Sequence, residues 1–125
     1  MISLAELNPH KYPTTPEIDA NLQELLVRLN KVRLAYGKPM TITSGLRSQA
    51  QQDALIAIGK SNAPHSKHLT GHAADIQDAD GLFYDWCKAN ENILEEAGLW
   101  CEMRMGGWQH LQSLPPASGK RWFFP

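Results

Sequence analysis

One glycine within a dense run of histidine and aspartate residues constrains the fold most strongly. The segment HSKHLTGHAADI, residues 65–76, contains three of the chain's five histidines and an aspartate. Glycine readily adopts the backbone conformations of tight turns, so Gly71 allows the chain to reverse there. In the residues after it, HAADIQ, Asp75 lies on the strand face opposite Ala74 and Ile76. We therefore expect a loop, a glycine turn and a strand, in that order.

Two pairings of these side chains predict different metal sites. His68 and His72 stand four residues apart, as in helical H-E-x-x-H zinc proteases. That motif needs a glutamate where this chain has Leu69, and a continuous helix that Gly71 interrupts. The alternative pairs His68 with Asp75 across the glycine turn, and it agrees with the predicted strand. We therefore favour His68 and Asp75.

A third ligand must come from elsewhere in the chain. The segment WQHLQ supplies His110 on a late predicted strand. The aromatic residue Trp108, two positions earlier, would line one side of the site. Two neutral imidazoles and one carboxylate make a three-ligand zinc site with a fourth position open to water, which is typical of catalytic zinc. The residues thus predict Zn²⁺ as the cofactor, held by His68, Asp75 and His110.

The composition is that of an ordinary globular chain. Its 125 residues suit one domain, which we expect to span residues 1–125. Twelve Lys and Arg against thirteen Asp and Glu give a formal net charge of -1, which argues against electrostatically driven nucleic-acid binding. No apolar run approaches the roughly 20 residues that span a bilayer, and the N-terminal segment lacks the pattern of a secretory signal. We expect a monomer made in the cytoplasm without a signal peptide and without membrane insertion.

Hydrophobic periodicity predicts three helices and four strands. The longest helix begins at Pro16, a good first helical residue after the N-cap Thr15, and ends at Gly37. Two further helices are predicted in RSQAQQDALIAIG and DADGLFYDWCKANENILEEAG, and strands in MTITSG, HAADIQ, LWCEM and WQHLQ. The last two strands are a hairpin candidate. The predicted fold class is α+β, a small antiparallel sheet with flanking helices.

Three blocks of the sequence together resemble one superfamily of metallopeptidases. SKHLTGHAAD followed by WQH is similar to the S-x-H-x-x-G-x-A-x-D…W-x-H signature of the zinc D-alanyl-D-alanine carboxypeptidases. That superfamily also contains phage L-alanyl-D-glutamate endolysins and the hedgehog signalling domain. ITSGLRS matches the S-G-x-R-S segment, which precedes the signature as it should. The matching stretches run from Met40 to Pro125, about two-thirds of the chain, and they imply a hedgehog/DD-peptidase-like fold.

The resemblance implies roles for five residues. His68, Asp75 and His110 correspond to the zinc ligands, in agreement with the argument from the strands. Arg47 and Ser66 lie where the family contacts substrate. A planar guanidinium such as that of Arg47 binds a peptide carboxylate through two parallel hydrogen bonds. A surface ion pair remains the alternative for Arg47, and a turn cap the alternative for Ser66.

The general base is where this sequence departs from the family pattern. Many relatives place a glutamate three or six residues before the last histidine, where this chain has glycine and arginine. The nearest candidate is Glu102, eight residues before His110. If Met105-Gly106-Gly107 form a three-residue hairpin loop, Glu102 stands opposite His110 with Cβ atoms ~5 Å apart, whereas a two-residue loop places Cys101 there. A glycine at the end of a three-residue loop favours Glu102 as the catalytic base.

The resemblance implies a zinc metallopeptidase that hydrolyses the stem peptides of peptidoglycan. The scissile bond is D-Ala-D-Ala, as in the carboxypeptidases, or L-Ala-D-Glu, as in the endolysins. A small chain without a leader is typical of a bacteriophage or prophage cell-wall hydrolase, acting on the wall during lysis or from the virion. The alternative is a non-catalytic zinc-containing binding domain of the hedgehog type, which the missing glutamate at the usual spacings keeps open.

Overall fold

The fold combines one long helix, several short helices and one sheet. The computed structural model describes residues 1–61, 65–104 and 106–124. In chain order its elements are α1 (Leu4–Leu7), α2 (Pro16–Tyr36), β1 (Ile42–Ser44), α3 (Gln49–Ala57), a 3₁₀ helix (Lys67–Thr70), β2 (Ala73–Gln77), α4 (Leu82–Ala89), α5 (Glu91–Ala97), β3 (Trp100–Glu102), β4 (Trp108–Gln112) and β5 (Trp122–Phe123). None of the described helices has the length and apolar character needed to cross a membrane.

Helix α2 forms as its sequence predicts. The Thr15 side chain accepts a hydrogen bond from the Ile18 amide, Pro16 takes the first position, and Gly37 ends the helix at a φ of 75°. One face carries four buried residues at helical spacing, Leu22, Leu25, Leu29 and Val32. This face packs into the core and gives the sheet a rigid support, with α5 beside it.

The sheet runs in the order β1-β2-β4-β3-β5 over the described residues. Strand β2 pairs antiparallel with β1 and β4, and β3 pairs antiparallel with β4. Paired residues form a line that runs across the strands of the sheet. Ser44 pairs with Asp75, and Asp75 pairs with His110. The line continues through Glu102 on β3, which pairs with Phe123 on β5. We call these five residues the site row.

The two faces of the sheet have different characters because side chains alternate along each strand. Ala74, Ile76, Cys101 and Leu111 point into the hydrophobic core, and each is at most 1% exposed. Their neighbours Asp75, Glu102 and His110 therefore point to the opposite face. The core consequently fixes the orientation of the polar residues.

The predicted hairpin register is confirmed where the pairing is described. Trp100 pairs with Gln112 and Cys101 with Leu111, as a three-residue loop requires. The same register continued by one residue sets Glu102 opposite His110, which completes the site row. Met105, in the predicted loop, lies outside the described residues.

The predicted third helix is wrong as a single element, because α4 and α5 are separated at Asn90. The Asn90 side chain donates a 2.8 Å hydrogen bond to the Trp86 carbonyl, and its backbone leaves the helical region at φ −126° and ψ 40°. Asparagine side chains compete for backbone hydrogen-bonding groups and so interrupt helices. Apolar periodicity continues across this break and conceals it.

The sheet is mostly antiparallel, as predicted, and one strand pair is parallel. Strand β5 in the C-terminal tail pairs parallel with β3, and the amides of Cys101 and Met103 donate to the carbonyls of Arg121 and Phe123, both at 2.7 Å. Two residues are too few to show strand periodicity among the prolines and glycines of this tail. The tail therefore extends the sheet at its β3 edge.

Candidate metal centre

His68 is delivered by a single turn of 3₁₀ helix within the segment predicted as a loop. The Ser66 hydroxyl caps this turn by accepting a hydrogen bond from the His68 amide at 3.2 Å. Gly71 ends it with a φ of 79°, and a Cβ there would lie 3.0 Å from the Leu22 side chain of α2. The glycine turn is thus required by both backbone conformation and packing. His68 consequently points inward and is 2% exposed.

The structure brings the three predicted ligands together. His68 Nε2 lies 3.2 Å from Asp75 Oδ1, and His110 Nδ1 lies 2.9 Å from the same oxygen. One nitrogen or oxygen atom from each of the three residues falls within 4.8 Å of the others. These atoms form a compact N-N-O donor set of the kind that binds divalent transition metals.

Hydrogen bonds behind the cluster determine which ring nitrogen faces it. His68 Nδ1 donates to the Gly45 carbonyl at 2.8 Å, which leaves the Nε2 lone pair facing Asp75. His110 Nε2 lies 2.9 Å from Gln112 Oε1 and donates to it, so Nδ1 is the ring nitrogen that faces Asp75. The Gln112 amide is itself oriented, since its Nε2 donates to the Leu114 carbonyl at 2.8 Å. Such outer hydrogen bonds fix the tautomers that metal ligation needs.

Gly45 must be a glycine for a separate reason. A side chain at this position would collide with the backbone of Leu7, whose carbonyl accepts a 2.7 Å hydrogen bond from the Leu46 amide. The absence of a Cβ lets α1 approach the end of β1 and holds the Gly45 carbonyl against His68. The SGLR segment therefore contributes a backbone acceptor as well as an arginine.

Arg47 binds the oxygen of Asp75 that does not face the histidines. Its Nη2 lies 3.1 Å from Asp75 Oδ2, Nε donates to Ser44 Oγ at 2.9 Å, and Nη1 donates to Gln52 Oε1 at 3.0 Å. The paired Arg47 and Asp75 side chains are only 13% and 9% exposed, so this is not a surface ion pair. Arg47 thereby holds one oxygen of Asp75 and leaves the other to the histidines. Because the guanidinium also lines the cleft, substrate binding by Arg47 stays a prediction.

The protonation of the cluster is consistent with a cation site. Burial disfavours ionised Asp75, yet His68 and His110 outweigh it and hold the pKa of this carboxyl well below its usual range. Burial lowers the pKa of His68. Burial lowers the pKa of His110, but the hydrogen bond to Asp75 and the charges of Asp75 and Glu102 together outweigh it and raise this pKa. A divalent cation would bind the neutral imidazoles and the ionised carboxylate, because metal ligands must be deprotonated.

The first prediction concerns Gln112, whose side-chain oxygen accepts the hydrogen bond from His110. We expect Gln112→Met to weaken Zn²⁺ affinity by about 10–100-fold, because the His110 ring loses the bond that fixes its orientation. Gln112→Glu keeps an acceptor at this position and should retain most of the affinity. Competition titration with a chromophoric chelator measures both variants. Equal affinity of Gln112→Met and the unsubstituted chain would show that Gln112 does not orient the ligand.

Glu102 lies beside this cluster in the same cleft. Burial raises the pKa of Glu102 above its ordinary value, and the neighbouring His110 partly offsets that rise. Its backbone carbonyl accepts a 2.8 Å hydrogen bond from Gln109 Nε2, which holds the β3 end in place. A carboxylate with a raised pKa next to a metal site has the properties of a general base. The catalytic role of Glu102 nevertheless stays a prediction.

The cluster opens into a cleft of about 850 Å³. Arg47, Ser66 and Glu102 line it together with the three candidate ligands. His72 is held separately, with its Nδ1 2.7 Å from the Thr70 hydroxyl, and it is not part of the donor set found among the described residues. The cleft is large enough to hold several residues of a peptide.

Sequence reasoning missed two residues of this site. Gln112 follows His110 by two positions, so the strand alternation that placed His110 could also have placed Gln112 on the same face. Phe123 lines the cleft from β5, and its ring centroid lies 6.2 Å from that of His110. No local signal predicts Phe123, because its place depends on a long-range strand pairing.

Comparison with known proteins accounts for this arrangement. A model of the peptidase M15 family matches residues 2–110. The chain belongs to the peptidase M15 family. M15 peptidases are metallopeptidases, and this member carries a His-Asp-His group able to bind a metal ion. The superfamily resemblance inferred from the sequence blocks is thereby confirmed.

A solved structure supports the same conclusion. The chain is similar to the crystal structure of the L-Ala D-Glu endopeptidase ChiX from Serratia marcescens, with a TM-score of 0.54 and 26% sequence identity. The similarity covers 85% of this chain and 93% of that chain, and it confirms the α+β class. Comparison with curated protein sequences finds no match.

Proposed function

We propose that this M15 peptidase is a zinc enzyme that hydrolyses the stem peptides of peptidoglycan. The observation that carries the proposal is the convergence of two oriented imidazoles on one carboxylate oxygen of Asp75, in a cleft that also holds Glu102. Family membership supports peptide hydrolysis, and the similarity to ChiX supports a peptidoglycan substrate. Of the two candidate bonds, the ChiX similarity favours L-Ala-D-Glu over D-Ala-D-Ala.

Zinc is the proposed metal because two imidazole nitrogens and one carboxylate are typical of catalytic zinc sites with an open position. His68 would bind it through Nε2, His110 through Nδ1 and Asp75 through Oδ1, which are the atoms that already face one another. When bound, the ion supplies a Lewis acid that polarises the scissile carbonyl and lowers the pKa of water towards ~7.

Protein side chains perform the remaining chemistry. Glu102 accepts a proton from the attacking water and then returns it to the departing amine, so that one carboxylate serves both steps of peptide hydrolysis. Arg47 holds the second oxygen of Asp75 in place and also lines the cleft. Ser66 positions His68 through its amide and stays a candidate for substrate contact. Asp75, His110 and Glu102 lie on one sheet face, and the 3₁₀ helix brings His68 to the same cleft.

The proposed setting is the bacterial cell wall. The similarity of the sequence blocks to phage endolysins supports a bacteriophage or prophage hydrolase that acts during lysis or from the virion. The substrate partner is then the peptidoglycan stem peptide. Model stem peptides and purified sacculi from a bacterial host would both present this substrate.

A chelator-controlled hydrolysis assay tests the proposal. We expect the zinc-loaded chain to release new amino groups from purified sacculi and from a peptide containing L-Ala-D-Glu, and we expect a chelator to abolish this release until zinc is restored. Identification of the new N-terminal residue distinguishes the two candidate bonds. A chain that binds one zinc ion but releases no amine from either substrate would favour the hedgehog-type binding domain instead.

A further inference from the structure

The last strand belongs to the site although it lies outside the family match. The family model ends at residue 110, whereas β5 occupies Trp122–Phe123. Its pairing with β3 sets Phe123 next to Glu102 at the end of the site row. The family match therefore assigns no role to this strand.

Phe123 contacts a proposed metal ligand directly. Its ring meets the His110 ring edge to face, with centroids 6.2 Å apart and planes at 90°. It lines the cleft together with Glu102 and Trp108. Its neighbour Phe124 is 73% exposed and is not among the described residues that line the cleft. Only the first of two adjacent phenylalanines thus faces the site.

The tail holds Phe123 firmly in this position. Arg121 Nη1 donates to the Leu99 carbonyl at 2.8 Å, and its guanidinium stacks 4.5 Å from the Trp100 ring centroid. On the next residue, the Trp122 ring centroid lies 4.1 Å from the Lys88 ammonium. These contacts fix the backbone on the N-terminal side of Phe123, so its ring forms a fixed wall.

The two ends of the cleft differ in chemistry. Arg47 lies on the β1 side, where its hydrogen bond to Gln52 ties α3 to the site, and Lys60 follows that helix and lines the cleft. Phe123 lies on the opposite, β5 side of the metal cluster, as the strand order requires. A peptide carboxylate is therefore suited to the first end and an apolar side chain to the second.

We propose that Phe123 is a substrate-contacting residue that selects an alanine methyl group next to the scissile bond. The inference rests on the proposed function. In both candidate bonds, L-Ala-D-Glu and D-Ala-D-Ala, the residue that supplies the carbonyl is alanine. Its methyl group is apolar and small, and it must lie close to the metal cluster when the carbonyl is attacked. The Phe123 ring offers an apolar surface there, because its centroid lies 6.2 Å from that of His110.

A paired substitution tests this role. Wild-type chain, Phe123→Ala and Phe124→Ala are compared on two model stem peptides, one with alanine and one with glycine as the residue that supplies the carbonyl. We expect the wild type to prefer alanine by roughly tenfold in kcat/KM, the usual selectivity for a small apolar group. Phe123→Ala should reduce that preference towards one. Phe124→Ala should keep it.

Controls separate selectivity from damage to the fold. Zinc content per chain and the thermal unfolding midpoint are measured for each variant, and Phe123→Leu, which keeps an apolar side chain, should retain most of the preference. Equal preference in Phe123→Ala and Phe124→Ala, with the wild type active, would overturn this inference alone. A zinc-loaded wild type that cleaves neither peptide nor sacculi would overturn the proposed function, and this inference with it.

Discussion

Replacing Glu102 with glutamine should lower kcat by about 10²–10⁴-fold, the usual contribution of a general base, while the chain keeps its bound metal. Glutamine matches the shape of glutamate but cannot take up a proton at neutral pH. Glu102 adjoins His110 in the site row yet stands outside the three-residue donor set. Amine release from a stem peptide measures kcat, and atomic absorption measures the metal.

A matched control is available on α5. Glu96→Gln also removes one negative charge, but from an exposed position, and should leave both activity and zinc content unchanged. If metal-loaded Glu102→Gln retains full activity, Glu102 has no part in the proton transfers. If that variant instead loses its metal, Glu102 supports the ion rather than the proton transfers.

The second large effect concerns the ligands. His68→Ala should abolish zinc binding at micromolar metal, with a loss greater than the roughly 10–100-fold expected from losing an outer hydrogen bond. The substitution also leaves the Gly45 carbonyl without its donor, so we expect the free energy of unfolding to fall by about 1–3 kcal/mol. Zinc titration and urea denaturation measure the two effects separately.

His72→Ala provides the comparison that decides between the two pairings of the histidine segment. His72 is bonded to the Thr70 hydroxyl outside the donor set, so we expect wild-type zinc affinity and activity for this variant. Wild-type affinity in His68→Ala, or its loss in His72→Ala, would contradict the assignment. The His68 and His72 variants thus distinguish a turn-and-strand site from a helical one.

Several features could be predicted from the sequence because they depend on local rules. The N-cap at Thr15 and the stop at Gly37 predicted α2, and strand alternation with Gly71 predicted that His68 and Asp75 converge. The hairpin register was predicted from loop length, which brought Glu102 opposite His110. In each case the physical cause acts over fewer than ten residues of the chain, or it follows from the regular alternation of side chains along a strand.

Other features could not be predicted because their causes are distant in the chain. Arg47 binds Asp75, 28 residues away, and no spacing rule connects them. Strand β5 forms only because β3 offers it an edge, and its two residues carry no pattern of their own. The break at Asn90 was missed because one side-chain hydrogen bond outweighs a continuing apolar period.

The site row has a consequence for how this protein folds. Two of its members, Asp75 and His110, belong to the donor set and lie on β2 and β4, and the third donor, His68, lies on the 3₁₀ helix, so the β3–β4 hairpin alone does not contain the donor set. A slip of one residue in any strand would turn its member towards the core and dismantle the site. Zinc binding therefore reports on the pairing of β2 with β4, and a metal titration during refolding would time that pairing.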